Sequence, residues 1–127
     1  MSDPALVREI LTQILEATAR IERRFAPIQS AEDFLADDEG IDRLDAICMM
    51  LIALGESLKN LDKVTGGELL GRYPQVDWTG AKGIRDIISH HYFHLDAEVV
   101  YGVCRERLPG LVAAVKAMRE ELGDGPP

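Results

Sequence analysis

Nine consecutive apolar residues, Ala46-Ile47-Cys48-Met49-Met50-Leu51-Ile52-Ala53-Leu54, lie in a stretch whose apolar period is helical. Leu44, Ile47, Leu51, Leu54 and Leu58 recur at three- and four-residue steps, which is the spacing of one face of an α-helix. The pattern predicts a helix over about residues 39–62. Met49 and Ile52 fall on its other faces, so the helix is apolar nearly all round. Such a helix must be central, or must bury its second face on a partner. In a chain of 127 residues the expectation is both, with core on one side and a homodimer contact on the other. Gly55-Glu56 interrupts the run. Glycine costs about 1 kcal/mol against alanine inside a helix, so Gly55 is best explained by close approach of another backbone. Glu56 beside it then needs a partner, for which Arg85 is the candidate; otherwise it is a solvated residue.

The remaining segments read as helices too. Asp3-Pro4 is an N-cap followed by proline at the first helical position. Leu6, Ile10, Ile14, Ala17 and Ile21, flanked by Val7, Leu11, Thr18 and Phe25, form an amphipathic stripe to about residue 25. Arg20, Arg23 and Arg24 suit the negative end of that helix dipole, and Pro27 stops it. Ser30-Ala31-Glu32-Asp33 resembles a capping box that opens a short turn, with Phe34 plugging the core. Gly66-Gly67 is a loop, and Glu68-Leu69-Leu70 a helical turn. Asp77 caps a further helix, anchored by Trp78, that carries residues 83–96. Asp96 caps the last helix, with Val99, Val100, Val103 and Cys104 inward; Pro109-Gly110 kinks or splits it. Leu111, Val112, Val115, Met118 and Leu122 resume the stripe. No strand pattern or repeat is present. The expected architecture is an all-α bundle of four to five helices, one domain over 1–122 with a frayed tail at 123–127.

Charge narrows the functions open to this chain. The net charge is −8, and residues 28–62 hold nine acidic and two basic residues. A protein this acidic gains no general electrostatic affinity for nucleic acid, so any RNA site must be local, or the acidic surface must serve a basic partner. No apolar run reaches a membrane span, and Met1-Ser2-Asp3-Pro4 lacks the features of a signal peptide. Cys48 and Cys104 sit among apolar neighbours and read as reduced packing residues, which points to a cytoplasmic location.

All three histidines fall in Gly83-Ile84-Arg85-Asp86-Ile87-Ile88-Ser89-His90-His91-Tyr92-Phe93-His94-Leu95-Asp96. On a helix, Ile84, Ile87, Ile88, His91 and Leu95 share one side, and Arg85, Asp86, Ser89, His90 and Phe93 the other. His91 is then expected to pack, and His94 has no assigned role. His90 and His94 have the spacing of a ligand pair. No cysteine or carboxylate stands at a third-ligand position, and glutamate is absent from the H-E-x-x-H place, so no metal and no other cofactor is expected. Arg85 and His90 are five apart, on the edges of the polar face rather than stacked. A second copy of the chain would bring such a pair together better than one chain alone.

The stretch Gly83 to Phe93 resembles the HEPN superfamily, and within it the HepT-like toxins encoded beside a minimal nucleotidyltransferase (MNT) antitoxin. Gly55-Glu56-Ser57, Tyr73-Pro74 through Trp78, Leu95-Asp96 and Leu108-Pro109-Gly110-Leu111 match in the same order, so the likeness spans about residues 40–115. The resemblance implies a homodimeric, metal-independent endoribonuclease whose motifs meet in a cleft between two subunits. Arg85 and His90 map onto its catalytic pair and Asp86 onto the polar position after the arginine, with Ser89 and Glu56 in support. Tyr92 maps onto the tyrosine that the partner nucleotidyltransferase modifies with AMP to silence the toxin. His91 departs from relatives that often carry aspartate there.

The residue types suit that chemistry. Histidine titrates near neutral pH and can serve as base or acid, and arginine offers phosphate a permanently charged planar fork. The implied products are 2′,3′-cyclic phosphate and 5′-hydroxyl ends on an RNA such as tRNA or mRNA. Two other readings stand beside this type VII-like toxin–antitoxin role. One is a non-catalytic helical dimer whose acidic face, with Asp37, Asp38 and Asp42, docks a basic partner. The other is a binding or recruiting subunit for the transferase.

Overall fold

The computed structural model describes residues 3–90 and 97–123, with Ser89 and His90 described by their backbone alone. The described residues form helices α1 (Pro4–Phe25), α2 (Asp38–Val64), α3 (Glu68–Gly71), α4 (Trp78–Lys82), α5 (Ile84–His90), α6 (Ala97–Gly102) and α7 (Leu108–Leu122), with no strand among them. A single 3-10 turn, Ala31–Phe34, joins α1 to α2, and a π-helical turn, Val103–Arg107, joins α6 to α7.

Local chemistry sets most of these ends. Asp3 accepts from the Ala5 amide ahead of Pro4, and the Phe25 end leads into Pro27. Asp37 accepts from the Gly40 amide at 2.7 Å and opens α2. Arg43 then donates to the Arg24 carbonyl at 3.1 Å, so α2 satisfies one of the free carbonyls that end α1. The expected Ser30 cap is replaced by a bond from Asp33 alone, whose Oδ2 accepts from the Gln29 amide at 2.7 Å. Phe34 does plug the core and is fully buried.

α2 is the centre, 27 residues or roughly 40 Å long. Its predicted stripe of Leu44, Ile47, Leu51, Leu54 and Leu58 is buried throughout, and α1 packs along it through Val7, Ile10, Leu11, Ile14 and Ile21. α7 lies on α1, while α4 and α5 lie on α2. Tyr101 closes the seam between α6 and the turn after α1, donating to the Gln29 carbonyl at 2.9 Å and packing its ring against Phe25 in a tilted arrangement. Cys48 and Cys104 are free, buried and electrostatic neighbours in the core. Burial pushes their thiols up to about 11 and about 12, which leaves them packing residues rather than nucleophiles.

The structure corrects several sequence expectations. In α1 the expected stripe is buried at Ile10, Ile14, Ala17 and Ile21, but Leu6 at its start is exposed and the flanking Val7 is buried instead. Val99 is exposed, and Val103 is only half-buried. The helix expected to run unbroken from Asp77 stops at Gly83 and restarts at Ile84, where helices of five and seven residues meet at a turn. Ile87, expected on the apolar side, is half exposed, whereas Ile84 and Ile88 are buried. At Pro109-Gly110, expected to kink or split the last helix, α6 and α7 are joined by a π-helical turn directly before the proline. It has no amide to bond at position i−4, and the π-helical turn just before it, where the Leu108 amide reaches Val103, accommodates the ring. Gly123 (φ 76°) ends α7, and its carbonyl accepts from Arg8 Nε at 3.2 Å. The expectations for His91, Tyr92, Phe93, His94, Leu95 and Asp96, and for the tail beyond Gly123, lie outside the described residues.

Candidate functional site

The site is built where α5 meets the second half of α2. Gly55 makes this contact possible. A Cβ at that position would stand 3.1 Å from the Ala81 carbonyl oxygen and 3.2 Å from Ile84 Cγ2. The predicted close approach is therefore real, and the approaching backbone is the end of α4. Trp78 secures that short helix. Its ring is buried and its Nε1 donates to the Tyr73 carbonyl at 2.9 Å, while Asp77 caps it by accepting from the Gly80 amide.

With α4 and α5 so placed, Glu56 finds the expected partner: Arg85 Nη1 lies 3.3 Å from Glu56 Oε1. Lys59 approaches the same oxygen at 3.4 Å. The Arg85 hydrogen bond holds the Glu56 carboxyl below its ordinary value; desolvation opposes it, and Lys59 adds to the lowering. One turn further along α2, Asp62 pairs with Lys82 at 2.8 Å, and both are partly buried. Asp86 is exposed next to Arg85 in the first turn of α5. His90 is the last residue of α5, so the backbone carries the arginine and the histidine on one seven-residue helix. Five residues span about 7.5 Å of rise and about 140° of rotation. Tyr92 lies outside the described residues.

Lys59 and the Asp62–Lys82 pair were not singled out by the sequence. Glu56 and Lys59 have the i, i+3 spacing of helix neighbours, a signal that could have found Lys59. The Asp62–Lys82 pair joins residues twenty apart and becomes visible only with the fold. No group of three potential metal ligands occurs among the described residues. A groove of about 590 Å³ runs on the other flank of α5, lined by Leu51, Ile84, Ile87, Val99 and Leu111. Its lining is mostly apolar but includes Asp77, Glu106 and Arg107, and Arg85 is not part of it. No helix of the described residues is long and apolar enough to cross a membrane.

An all-α bundle with an arginine and a histidine on one short helix packed against a central one defines a HEPN-type domain. The family model described as Ribonuclease HepT-like matches residues 14–118. The chain belongs to the HepT-like ribonuclease family, which gives it an RNase-type function at family level. It is 28% identical over 116 residues to a Methanocaldococcus jannaschii protein provisionally named an RNase, covering 91% of this chain and 89% of that one. A Thermococcus cleftensis protein provisionally named ribonuclease HepT is 27% identical over 113 residues, 89% of this chain and 96% of its own length. A Caldanaerobacter subterraneus protein, again provisionally named an RNase, is 29% identical over 114 residues, 90% of this chain and 95% of that one. No solved structure matches the chain.

Proposed function

We propose that the chain is a metal-independent endoribonuclease and the toxin of a toxin–antitoxin pair. The observation that carries this reading is the placement of Arg85, exposed, on the same short helix as His90. In the proposed reaction the 2′-hydroxyl oxygen attacks the adjacent phosphorus, its proton passes to a base, and the P–O5′ bond breaks. The 5′-oxygen receives a proton as it leaves, giving a 2′,3′-cyclic phosphate and a 5′-hydroxyl. His90 serves as base or acid, and Arg85 bears the charge that builds on the phosphorane-like transition state.

One histidine cannot hold both proton positions at once, so a second copy of the chain supplies the other. Support for a homodimer comes from α2, whose outer face leaves Met49 62% and Ile41 41% exposed. Exposed apolar residues on a central helix are what a second copy would cover. In the same reading a nucleotidyltransferase encoded beside this gene attaches AMP to Tyr92, and the added bulk and negative charge keep RNA phosphate away.

The test is cleavage of labelled RNA in EDTA by the wild type, Arg85→Ala and His90→Ala. Cleavage by the wild type alone, leaving cyclic phosphate ends, is the expected result; equal cleavage by all three would end the proposal. Intact mass after co-expression with the neighbouring gene reads the switch, as a gain of AMP mapped to Tyr92.

A further inference from the structure

Oε1 of Glu56 stands between two cations from different helices, 3.3 Å from Arg85 Nη1 on α5 and 3.4 Å from Lys59 Nζ on α2. Both contacts are longer than the roughly 2.7–2.9 Å of a tight charge-assisted bond. The three side chains are about half exposed, at 55% for Arg85 and 44% each for Lys59 and Glu56. Water competes for such a cluster, and the carboxylate is held there by two long hydrogen bonds to cations. A planar guanidinium and a compact ammonium converging on one anionic oxygen is also the donor set that suits a phosphate.

We infer that Lys59 and Arg85 form one clamp for an RNA phosphate, and that the Glu56 carboxylate holds the place of that phosphate until RNA displaces it. The inference rests on reading the chain as an RNase, and it adds to the site a residue that lies outside the α5 motif.

The distribution of charge supports it. Acidic residues dominate 28–62 and the chain as a whole, yet Lys59, Lys63, Lys82 and Arg85 gather where α2 ends and α4 and α5 pack, against Glu56, Asp62 and Asp86 in the same region. Lys59 and Lys63 follow Glu56 at three and seven positions, along one face of α2. From Glu56 to Lys63 that face advances about 10 Å. An RNA strand repelled by the acidic half of α2 would meet positive charge along this strip, beside the arginine of α5. Gly55 fixes the distance between the two sides of the clamp, since its missing Cβ sets how closely α2 approaches the α4–α5 junction. Both cations approach the same oxygen, Glu56 Oε1, and the Arg85 hydrogen bond is the first cause of the lowered Glu56 carboxyl.

The experiment uses a fluorescent single-stranded 2′-O-methyl oligoribonucleotide, which lacks the attacking hydroxyl and stays intact. Its binding by the full chain is followed by anisotropy across a salt series. Lys59→Gln is expected to weaken binding about tenfold and to flatten the salt dependence by about 0.7 in the logarithmic slope, the share of one phosphate contact on a single strand. Glu56→Gln, which removes the competing charge, is expected to tighten binding about threefold. Lys116→Gln on α7 is exposed and remote, and should match the wild type.

Lys59→Gln behaving like Lys116→Gln, weaker binding by Glu56→Gln, or no binding by the wild type would each overturn the clamp. Cleavage of unmodified RNA is measured in parallel. Binding with the expected pattern but no cleavage leaves the clamp standing and removes the nuclease. Cleavage with an unaltered KM in Lys59→Gln does the reverse.

Discussion

α1 and α5 both lie on α2, but they are attached in different ways. α1 is 22 residues long and buries seven of them, from Val7 to Ile21, in a seam running along the central helix. α5 has seven residues and rests on Ile84, Ile88, the glycine contact at Gly55 and one exposed ion pair. A long seam shares its energy over many contacts, each costly to remove. A short helix resting on few contacts can shift without unfolding the domain. The difference separates stability, held by the α1 side, from the position of Arg85, held by the α5 side.

Four measurements test that separation. The largest effect is expected at Arg85: Arg85→Ala should lower RNA cleavage about 1,000-fold, about 4 kcal/mol of transition-state stabilisation, with the melting temperature unchanged. Loss of fold together with activity would show that the two sides are not separate. Next is Ile14→Ala in the α1 seam, where the side chain is fully buried. It should cost about 3 kcal/mol in denaturant unfolding, and the protein that remains folded should retain the cleavage constants of the wild type.

Gly55→Ala is smaller and cuts across the comparison. The new methyl gains about 1 kcal/mol of helix propensity but presses on a backbone carbonyl, at a cost of about 1–3 kcal/mol. A net loss of about 1 kcal/mol should come with a fall in cleavage of about tenfold, because α5 is moved. Activity unchanged at reduced stability would mean that the approach of α4 does not set the position of Arg85.

The smallest effect is a titration. The Glu56 carboxyl lies below its ordinary value of 4.5 in the folded chain, chiefly through Arg85. The contribution of the pair to stability is therefore fully present above 4.5 and is lost as pH falls through the lowered value. Carbon-detected NMR of the glutamate carboxyls should place Glu56 below 4.5 in the wild type and move it up in Arg85→Ala. An identical midpoint in both proteins would show that the ion pair does not form in solution.

Much of this fold was legible because its signals are local. Asp3 and Asp77, both read as caps, each bond an amide within their own helix start, and a cap needs no knowledge of the rest of the chain. The α2 stripe was legible because nine apolar residues leave little choice of face. Gly55 and the Glu56–Arg85 pair were found by asking why a glycine and a charge interrupt such a run. Errors gathered where helices are short. α4 and α5 have five and seven residues, too few for periodicity to show a break at Gly83 or to choose a side for Ile87. Leu6 and Val99 faced outward because the surface a neighbour offers, and not the apolarity of the residue, decides which flank is covered. The π-helical turn escaped notice because the sequence shows only that Pro109 lacks an amide, and not how the preceding turn adjusts.

That turn also controls the phase of the C-terminal helix. Val100, Cys104 and Leu108 are buried at two successive four-residue steps, a spacing that would drift about 80° around an ideal α-helix. The wider turn at Val103–Arg107 absorbs the drift, so the stripe of α6 continues in line into Leu111, Val115 and Met118. Val103–Arg107 is in effect an α-helix carrying one surplus residue. A residue taken up in this way leaves the phase of α7 unchanged: losing one residue from 103–107 would return the turn to plain α-helix with the apolar face of α7 still on α1, whereas losing one residue beyond Leu108 would turn the face that follows by about 100°.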